Sequence, residues 1–273
     1  MIYPAPNKQI YFSDLGLIPY REAWDLQESF LKALVEEKLV QRTRSDNSSP
    51  ESGVRSSENG VQSTDDEIRD TKYEVRSPNY LFFCEHPNVY TIGKSGKAEN
   101  ALFSEEFIKA IGAEYVATNR GGDITYHGPG QLVAYPVLDL ENFFTDIHRY
   151  MRSLEESVIL TCASYGLDAG RVNGMTGVWI DPESKNPRKI CAMGVKTSRW
   201  VTMHGLALNV NTDLSYFGHI VPCGLLGKPV TSLENEMGRK VALGEAKEVL
   251  REKFCGVFEA ELLQMPKIVP QTL

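Results

Sequence analysis

A glycine-rich turn running straight into an apolar segment constrains this chain most. Residues 120–131 read Arg-Gly-Gly-Asp-Ile-Thr-Tyr-His-Gly-Pro-Gly-Gln and lead into Leu-Val-Ala-Tyr-Pro-Val-Leu at 132–138. Glycine takes positive φ and lets the backbone come close to a neighbour, and proline stiffens the same turn. The apolar run has the length of a buried strand. Any fold must therefore deliver this turn directly into a core. The polar residues Arg120, Thr125, Tyr126 and His127 are denser than a turn alone needs. Two readings follow: an ordered turn before a buried strand, or one wall of a ligand site.

The flanking periodicities set the fold class. Residues 10–18 predict a strand and turn, and 20–39 an amphipathic helix with Trp24, Leu31, Leu34 and Val35 on one stripe. Strands are expected at 79–84, 89–92 and 114–118, with a short helix over 104–111. Asp146 is placed to cap a helix over 147–165 that carries Ile147, Met151, Leu154, Val158 and Cys162 on one face and ends at Gly166. A strand follows at 176–180, then paired strands at 189–196 and 200–210. Thr231 and Glu234 have the spacing of a capping box, and 243–263 reads as a last helix with Ala246, Val249, Leu250, Val257 and Phe258 inward. Strands in runs with helices early, middle and late indicate α+β rather than a βαβ repeat.

Residues 43–77 break these patterns, being rich in Ser, Asp, Glu, Asn and Gly. Such a composition buries too little apolar area to offset chain entropy. The segment before it is too small to fold alone, so it reads as a disordered loop insertion in one domain spanning 1–263, with a tail over 264–273. A phosphorylatable regulatory segment is the alternative. Gly93-Lys-Ser-Gly-Lys97 is like the end of a phosphate-binding loop but lacks its spacing, so it reads as a mobile basic loop.

Composition excludes several function classes. The net charge is −7 and 42% of residues are hydrophobic, so a sizeable core is expected and nothing global points to nucleic acid or an anionic membrane. No apolar stretch reaches the roughly 18 residues of a membrane span. Five cysteines without a Cys-x-x-Cys pair fit neither a disulfide framework nor a zinc site and suggest a reducing cytoplasm, as does the lack of a signal-peptide pattern. No metal and no cofactor is expected. Locally, residues 187–230 hold five cations against one acid, Asp213. This segment is suited to acidic partners, or is a scatter of surface cations.

Cys223 stands between Pro222 and Gly224, off any helical stripe or strand alternation, and is the candidate nucleophile. A thiolate needs a cation or base nearby. Lys189, His127, His204 and His219 qualify. The alternative is a small buried hydrophobe, the reading that applies to Cys84, Cys162 and Cys191.

The chain resembles the lipoyl(octanoyl) transferases. The resemblance is carried by 120–131, by Lys189-Ile-Cys-Ala-Met-Gly194, by His204-Gly-Leu-Ala-Leu-Asn-Val-Asn211 and by Ile220-Val-Pro-Cys-Gly224, in that order. His86-Pro87, residues 93–98 and Thr231-Ser-Leu also fit, and the close match spans about 79–232. The 43–77 insertion is longer than the family's loop. The resemblance implies a mixed sheet flanked by helices, as in biotin and lipoate ligase catalytic domains. It implies transfer of an octanoyl or lipoyl group from acyl carrier protein to a lysine of lipoyl domains, through a thioester on Cys223. The acceptors would be lipoyl domains of 2-oxoacid dehydrogenase complexes and the glycine cleavage H protein. Lys189 would lower the thiol pKa and move a proton. Arg120, Gly121, Gly122, Asp123, Ile124, Thr125, Tyr126 and His127 would bind substrate, with Ala192, Met193 and Gly194 and with Gly205, Leu206 and Ala207. The small residues of those two segments would let backbone N–H groups reach the acyl carbonyl. An ATP-dependent lipoate–protein ligase and a non-catalytic carrier-domain binder are the alternatives.

Overall fold

A computed structural model describes residues 6–47, 77–221 and 229–265. Cys223 lies outside the described residues, as do residues 48–76 of the expected insertion.

The fold is α+β. The strands are β1 (Gln9–Leu17), β2 (Asn79–Glu85), β3 (Val89–Ile92), β4 (Glu114–Ala117), β5 (Ile124–His127), β6 (Gln131–Val137), β7 (Ala169–Val172), β8 (Met175–Ile180), β9 (Arg188–Ser198), β10 (Val201–Asn209) and β11 (Glu261–Gln264). Eight of them form one mixed sheet in the order β11-β1-β2-β6-β10-β9-β8-β7. The β1 strand is parallel to both neighbours, and every later pair is antiparallel. A second sheet holds β4-β3-β5.

The helices are α1 (Tyr20–Asn47), α2 (Glu105–Ala110), α3 (Ile147–Ser164), α4 (Leu233–Met237) and α5 (Leu243–Phe258). They explain why the central strands read as unbroken apolar runs rather than alternations. Leu81 and Phe83 of β2, and Leu132 and Ala134 of β6, pack into one core with Leu154 and Val158 of α3 and Leu250 and Phe254 of α5. The intervening residues Phe82, Cys84, Val133, Tyr135 and Val137 pack into a second core with Leu31 and Leu34 of α1. Both faces of the strands are buried, so both faces are apolar.

Several expectations change. The first helix continues to Asn47, so the polar segment begins inside it. Its buried face includes Leu31 and Leu34 of the expected stripe, with Trp24 and Val35 partly buried against the same core, and extends to Tyr20, Ala23, Gln27 and Lys38. Gln27 and Lys38 are tolerated there because each is bonded. Gln27 Oε1 accepts from His204 N–H at 2.8 Å, and Lys38 Nζ meets Asp139 at 2.5 Å and the Arg199 carbonyl at 3.0 Å. The last helix stops at Phe258, where Glu259 takes φ 50°, and the chain returns as β11 beside β1. The boundary expected at 263 therefore falls within a strand. Ser232, rather than Thr231, caps α4 by accepting from Asn235 N–H. Asp146 does cap α3, accepting from Arg149 N–H at 3.0 Å.

Candidate active site

Both sheets line a cavity of about 560 Å³, within the usual range of small-molecule sites. Of residues 120–127, all but Tyr126 line it. Tyr126 faces away from its strand neighbours Thr125 and His127, into a cluster it shares with Ile124, where it stacks on Tyr216 at 4.8 Å and donates to Asn88 at 2.8 Å. Segments 192–194 and 205–207 also line the cavity and are cross-strand neighbours: Gly205 faces Gly194, Leu206 faces Met193 and Ala207 faces Ala192. Lys189 lies on the same wall. Two motifs apart in sequence thus form one continuous surface.

The wall carrying Arg120 to His127 is held by hydrogen bonds. Gly93-Lys-Ser-Gly-Lys97, expected to be a mobile loop, is a clasp on it. Its N–H groups at Gly93, Lys94 and Ser95 donate to the carbonyls of Asp123, Arg120 and Gly122 at 3.3, 3.0 and 3.2 Å. Asp123 accepts from Ile124 N–H at 2.7 Å and from Asn100 Nδ2 at 2.6 Å. Buried Arg120 donates from Nη2 to the Thr91 carbonyl at 2.7 Å and hydroxyl at 2.9 Å.

The protonation of His127 follows from its neighbours. Gln131 Nε2 donates to the Tyr126 carbonyl at 3.1 Å, so Gln131 turns Oε1 to His127 Nδ1 at 2.8 Å. Nδ1 therefore carries the proton and Nε2 the lone pair. The Thr91 hydroxyl, already accepting from Arg120, donates to Nε2 at 3.4 Å. Burial and the nearby His86 push the His127 pKa down to about 3. His204 is likewise pushed down to about 3 by burial and by Arg120. Both imidazoles are neutral near pH 7, so neither supplies the cation that a thiolate needs. His219 lies outside the cavity lining, against Tyr90 and Phe107.

The opposite wall is held by close packing. A Cβ on Gly205 would stand 2.2 Å from the Ala134 carbonyl oxygen, and one on Gly194 would stand 2.7 Å from that of Gly121. These glycines make room for the protein's own backbone. The β10 strand is also paired on both sides, by β6 and β9. The expectation that both segments offer N–H groups to a carbonyl is corrected for Leu206 and Ala207, which sit within these two ladders. Beyond Cys191, β9 has no β8 partner in register.

Lys189 Nζ lies 4.7 Å from the centre of the buried Trp179 ring, a cation–π distance. Its backbone binds the chain re-entering after the undescribed residues: Lys189 N–H donates to the Pro229 carbonyl and Thr231 N–H to the Lys189 carbonyl, both at 2.9 Å. The chain that enters them is fixed too, with Val221 N–H on the Asn100 carbonyl at 2.8 Å. Cys84, Cys162 and Cys191 are fully buried, and burial raises all three thiols, Cys162 to about 12. They are inert core thiols. Sequence reasoning missed Tyr20, Tyr135 and Asn209 in the lining. Only Asn209 had a signal, its place in the 204–211 block.

The arrangement is that of the lipoate ligase catalytic domains. A bi-partite lipoate protein ligase from Thermoplasma acidophilum superposes with TM-score 0.60 at 17% identity, over 96% of this chain and 87% of that one. Lipoate-protein ligase A bound with ATP gives TM-score 0.57 at 20% identity, over 69% and 76%. At these identities the likeness is one of fold. Sequence narrows the class. Residues 61–255 match the lipoyl protein ligase A/B catalytic domain family. The octanoyltransferase of Christiangramia forsetii is 51% identical over 257 residues, covering 94% of this chain and 98% of its own length. That of Flavobacterium johnsoniae is 50% identical over 258 residues, covering 94% and 100%. The chain belongs to the octanoyltransferases of the lipoyl protein ligase A/B catalytic domain family, and is an acyltransferase. Among the described residues no helix is long and apolar enough to cross a membrane.

Proposed function

We propose that the protein transfers an octanoyl group from the thioester of an acyl carrier protein to a lysine amine of lipoyl domains, through a thioester on Cys223. The observation that carries this reading is the convergence of segments 120–127, 192–194 and 205–207 with Lys189 around one largely apolar cavity. Apolar side chains such as Val133, Met193 and Leu206 suit an acyl chain. Lys189 and Arg120 are the cations of the lining.

In the first step the Cys223 thiolate attacks the acyl carbonyl. A C–S bond forms to Cys223 and the bond to the carrier sulfur breaks. That sulfur leaves as a thiol, with its proton passed by Lys189. In the second step a neutral lysine amine of the lipoyl domain attacks the new thioester. The amide forms, Cys223 leaves as thiolate, and the amine proton is lost through Lys189. A thioester is already activated, so the sequence of steps consumes no ATP. The acceptors are the lipoyl domains of 2-oxoacid dehydrogenase complexes and the glycine cleavage H protein, reached in the cytoplasm. The catalytic domain in this reading runs through β11 to Gln264, with the segment from 48 to 76 outside the chemistry.

The test is intact-mass measurement after mixing with octanoyl–acyl carrier protein without ATP. The expected result is an octanoyl adduct that maps to Cys223 and disappears in Cys223→Ala. Strict dependence on ATP, or no adduct, would show instead a ligase or a non-catalytic binder.

A further inference from the structure

The hydrogen-bond chain that begins at Arg120 does not stop at Gln131. Gln131 Nε2 also donates to Asn209 Oδ1 at 2.9 Å, and Asn209 Nδ2 donates to the Thr231 carbonyl at 2.9 Å. Thr231 N–H reaches the Lys189 carbonyl at 2.9 Å, and its hydroxyl donates to Glu236 Oε1 at 2.6 Å. Glu236 also takes the Arg188 guanidinium, at 2.8 and 2.9 Å. The carbonyls of Tyr126 and Thr231 can only accept, so every donor and acceptor between them has one orientation.

Asn209 is the junction of this chain. It is 3% exposed and sits at the end of β10, between the core residues Leu208 and Val210. An amide buried there is costly unless both ends are bonded. Both ends are bonded, one to Gln131, its cross-strand partner on β6, and the other to the Thr231 carbonyl beside β9. One partner holds the His127 wall, and the other lies in the segment bonded along Lys189. We propose that Asn209 is a positioning residue for acyl transfer: it sets the separation between the wall of residues 120–127 and the strand that carries Lys189. The proposal rests on the acyl-transfer reading above. A carboxamide is suited to this because it accepts at one end and donates at the other across a fixed span, whereas a hydroxyl or a methyl group cannot bridge both.

The test uses the full chain with Cys255, half-buried on α5, replaced by serine, so that Cys223 is the thiol followed. Asn209→Ala and Asn209→Ser are compared with the parent, the serine variant retaining a polar group so that the fold is kept. Three quantities are measured: melting temperature, single-turnover acylation by octanoyl–acyl carrier protein, and the pH profile of Cys223 alkylation by iodoacetamide. Mispositioning lowers kcat per acylatable site by about 10–100-fold while KM changes little. It also moves the alkylation profile upward by about one pH unit, a tenfold loss of thiolate at a given pH. A folded variant with the parent's kcat and alkylation profile overturns the proposal. So does a variant that only melts lower while each surviving site keeps its rate, because that is a merely structural role. If the parent itself takes no acyl group, the acyl-transfer reading fails and the proposal falls with it. If the parent is acylated and both variants match it, the proposal alone fails.

Discussion

The two walls of the cavity are held in place by different forces. On the Arg120–His127 wall, position comes from directed hydrogen bonds: Arg120 to Thr91, His127 to Gln131, and the Gly93–Ser95 clasp on three carbonyls. On the β9–β10 wall, position comes from missing atoms, with Gly205 and Gly194 letting one backbone press on another. The first wall breaks when a donor is lost or when a carbon is added at Gly93 of its clasp, where a Cβ would stand 2.3 Å from the Gly122 carbonyl oxygen; the second breaks when a carbon is added. Substitutions that look equally mild should therefore act by separate routes.

The largest effect is expected at Gly205→Ala, in the centre of the main sheet. The new Cβ would meet the Ala134 carbonyl oxygen at 2.2 Å and Pro136 Cδ at 2.7 Å, and neither belongs to a flexible side-chain end. Thermal or urea unfolding should show a loss of about 3 kcal/mol. A normal unfolding midpoint would mean that the sheet yields there and that the contrast between the walls is wrong. Arg120→Lys comes next. Lysine keeps the charge but cannot reach both the carbonyl and the hydroxyl of Thr91 in the planar fork that arginine offers. A loss of about 2 kcal/mol is expected from the same measurement, and an unchanged midpoint would show that the fork is dispensable.

The third prediction concerns pH. Burial lowers His86 to about 4 and His127 and His204 to about 3, so all three are neutral in the folded protein. In the unfolded chain they take up protons below about pH 6.5. Stability is therefore full above 6.5 and falls as the pH drops, by up to about 1.4 kcal/mol per pH unit for each histidine. Urea midpoints between pH 6.5 and 5 isolate this from carboxylate protonation. A flat or rising midpoint in that window would mean that these imidazoles are solvated. The smallest effect is expected at Gly121→Ala. Its Cβ would come no closer than 3.4 Å, to the Val195 carbonyl, and the unfolding midpoint should move by less than about 0.5 kcal/mol. A large shift would show that the close packing found at Gly93 extends to Gly121 as well.

Local patterns carried much of the fold. The cap at Asp146, the stripe through Leu154, Val158 and Cys162, and the pairing of β9 with β10 could all be read along the chain. What could not be read depends on partners far away in sequence. Ala169–Val172 has no apolar alternation, and it is a strand because β8 lies beside it. Residues 261–263 looked like the end of a helix and Gln264 like the start of a tail until β1 supplied an edge. Gln27 and Lys38 are polar residues on a buried face, and nothing local in the sequence announces the His204 N–H or the Asp139 carboxylate that bonds them. The site divides in the same way. Motif blocks located segments 120–127, 192–194 and 205–207, but not that Tyr126 turns away from the cavity. They also did not reveal that Gly194 and Gly205 serve backbone packing, or that Gln131 and Asn209 fix the orientation of His127's surroundings.

The edge formed by β1 and β11 bears on how the chain reaches this state. Gln9 and Glu261 are partners across 252 residues of sequence. On a ribosome, β1 emerges early and its outer edge stays unpaired until residues 261–264 follow. For most of synthesis a row of open backbone donors and acceptors is exposed, the kind of surface that recruits other strands. Such a distant closure is also slow to find once the chain is free. Aggregation during production, rather than low stability of the finished protein, is then the failure to watch for in variants shortened before β11.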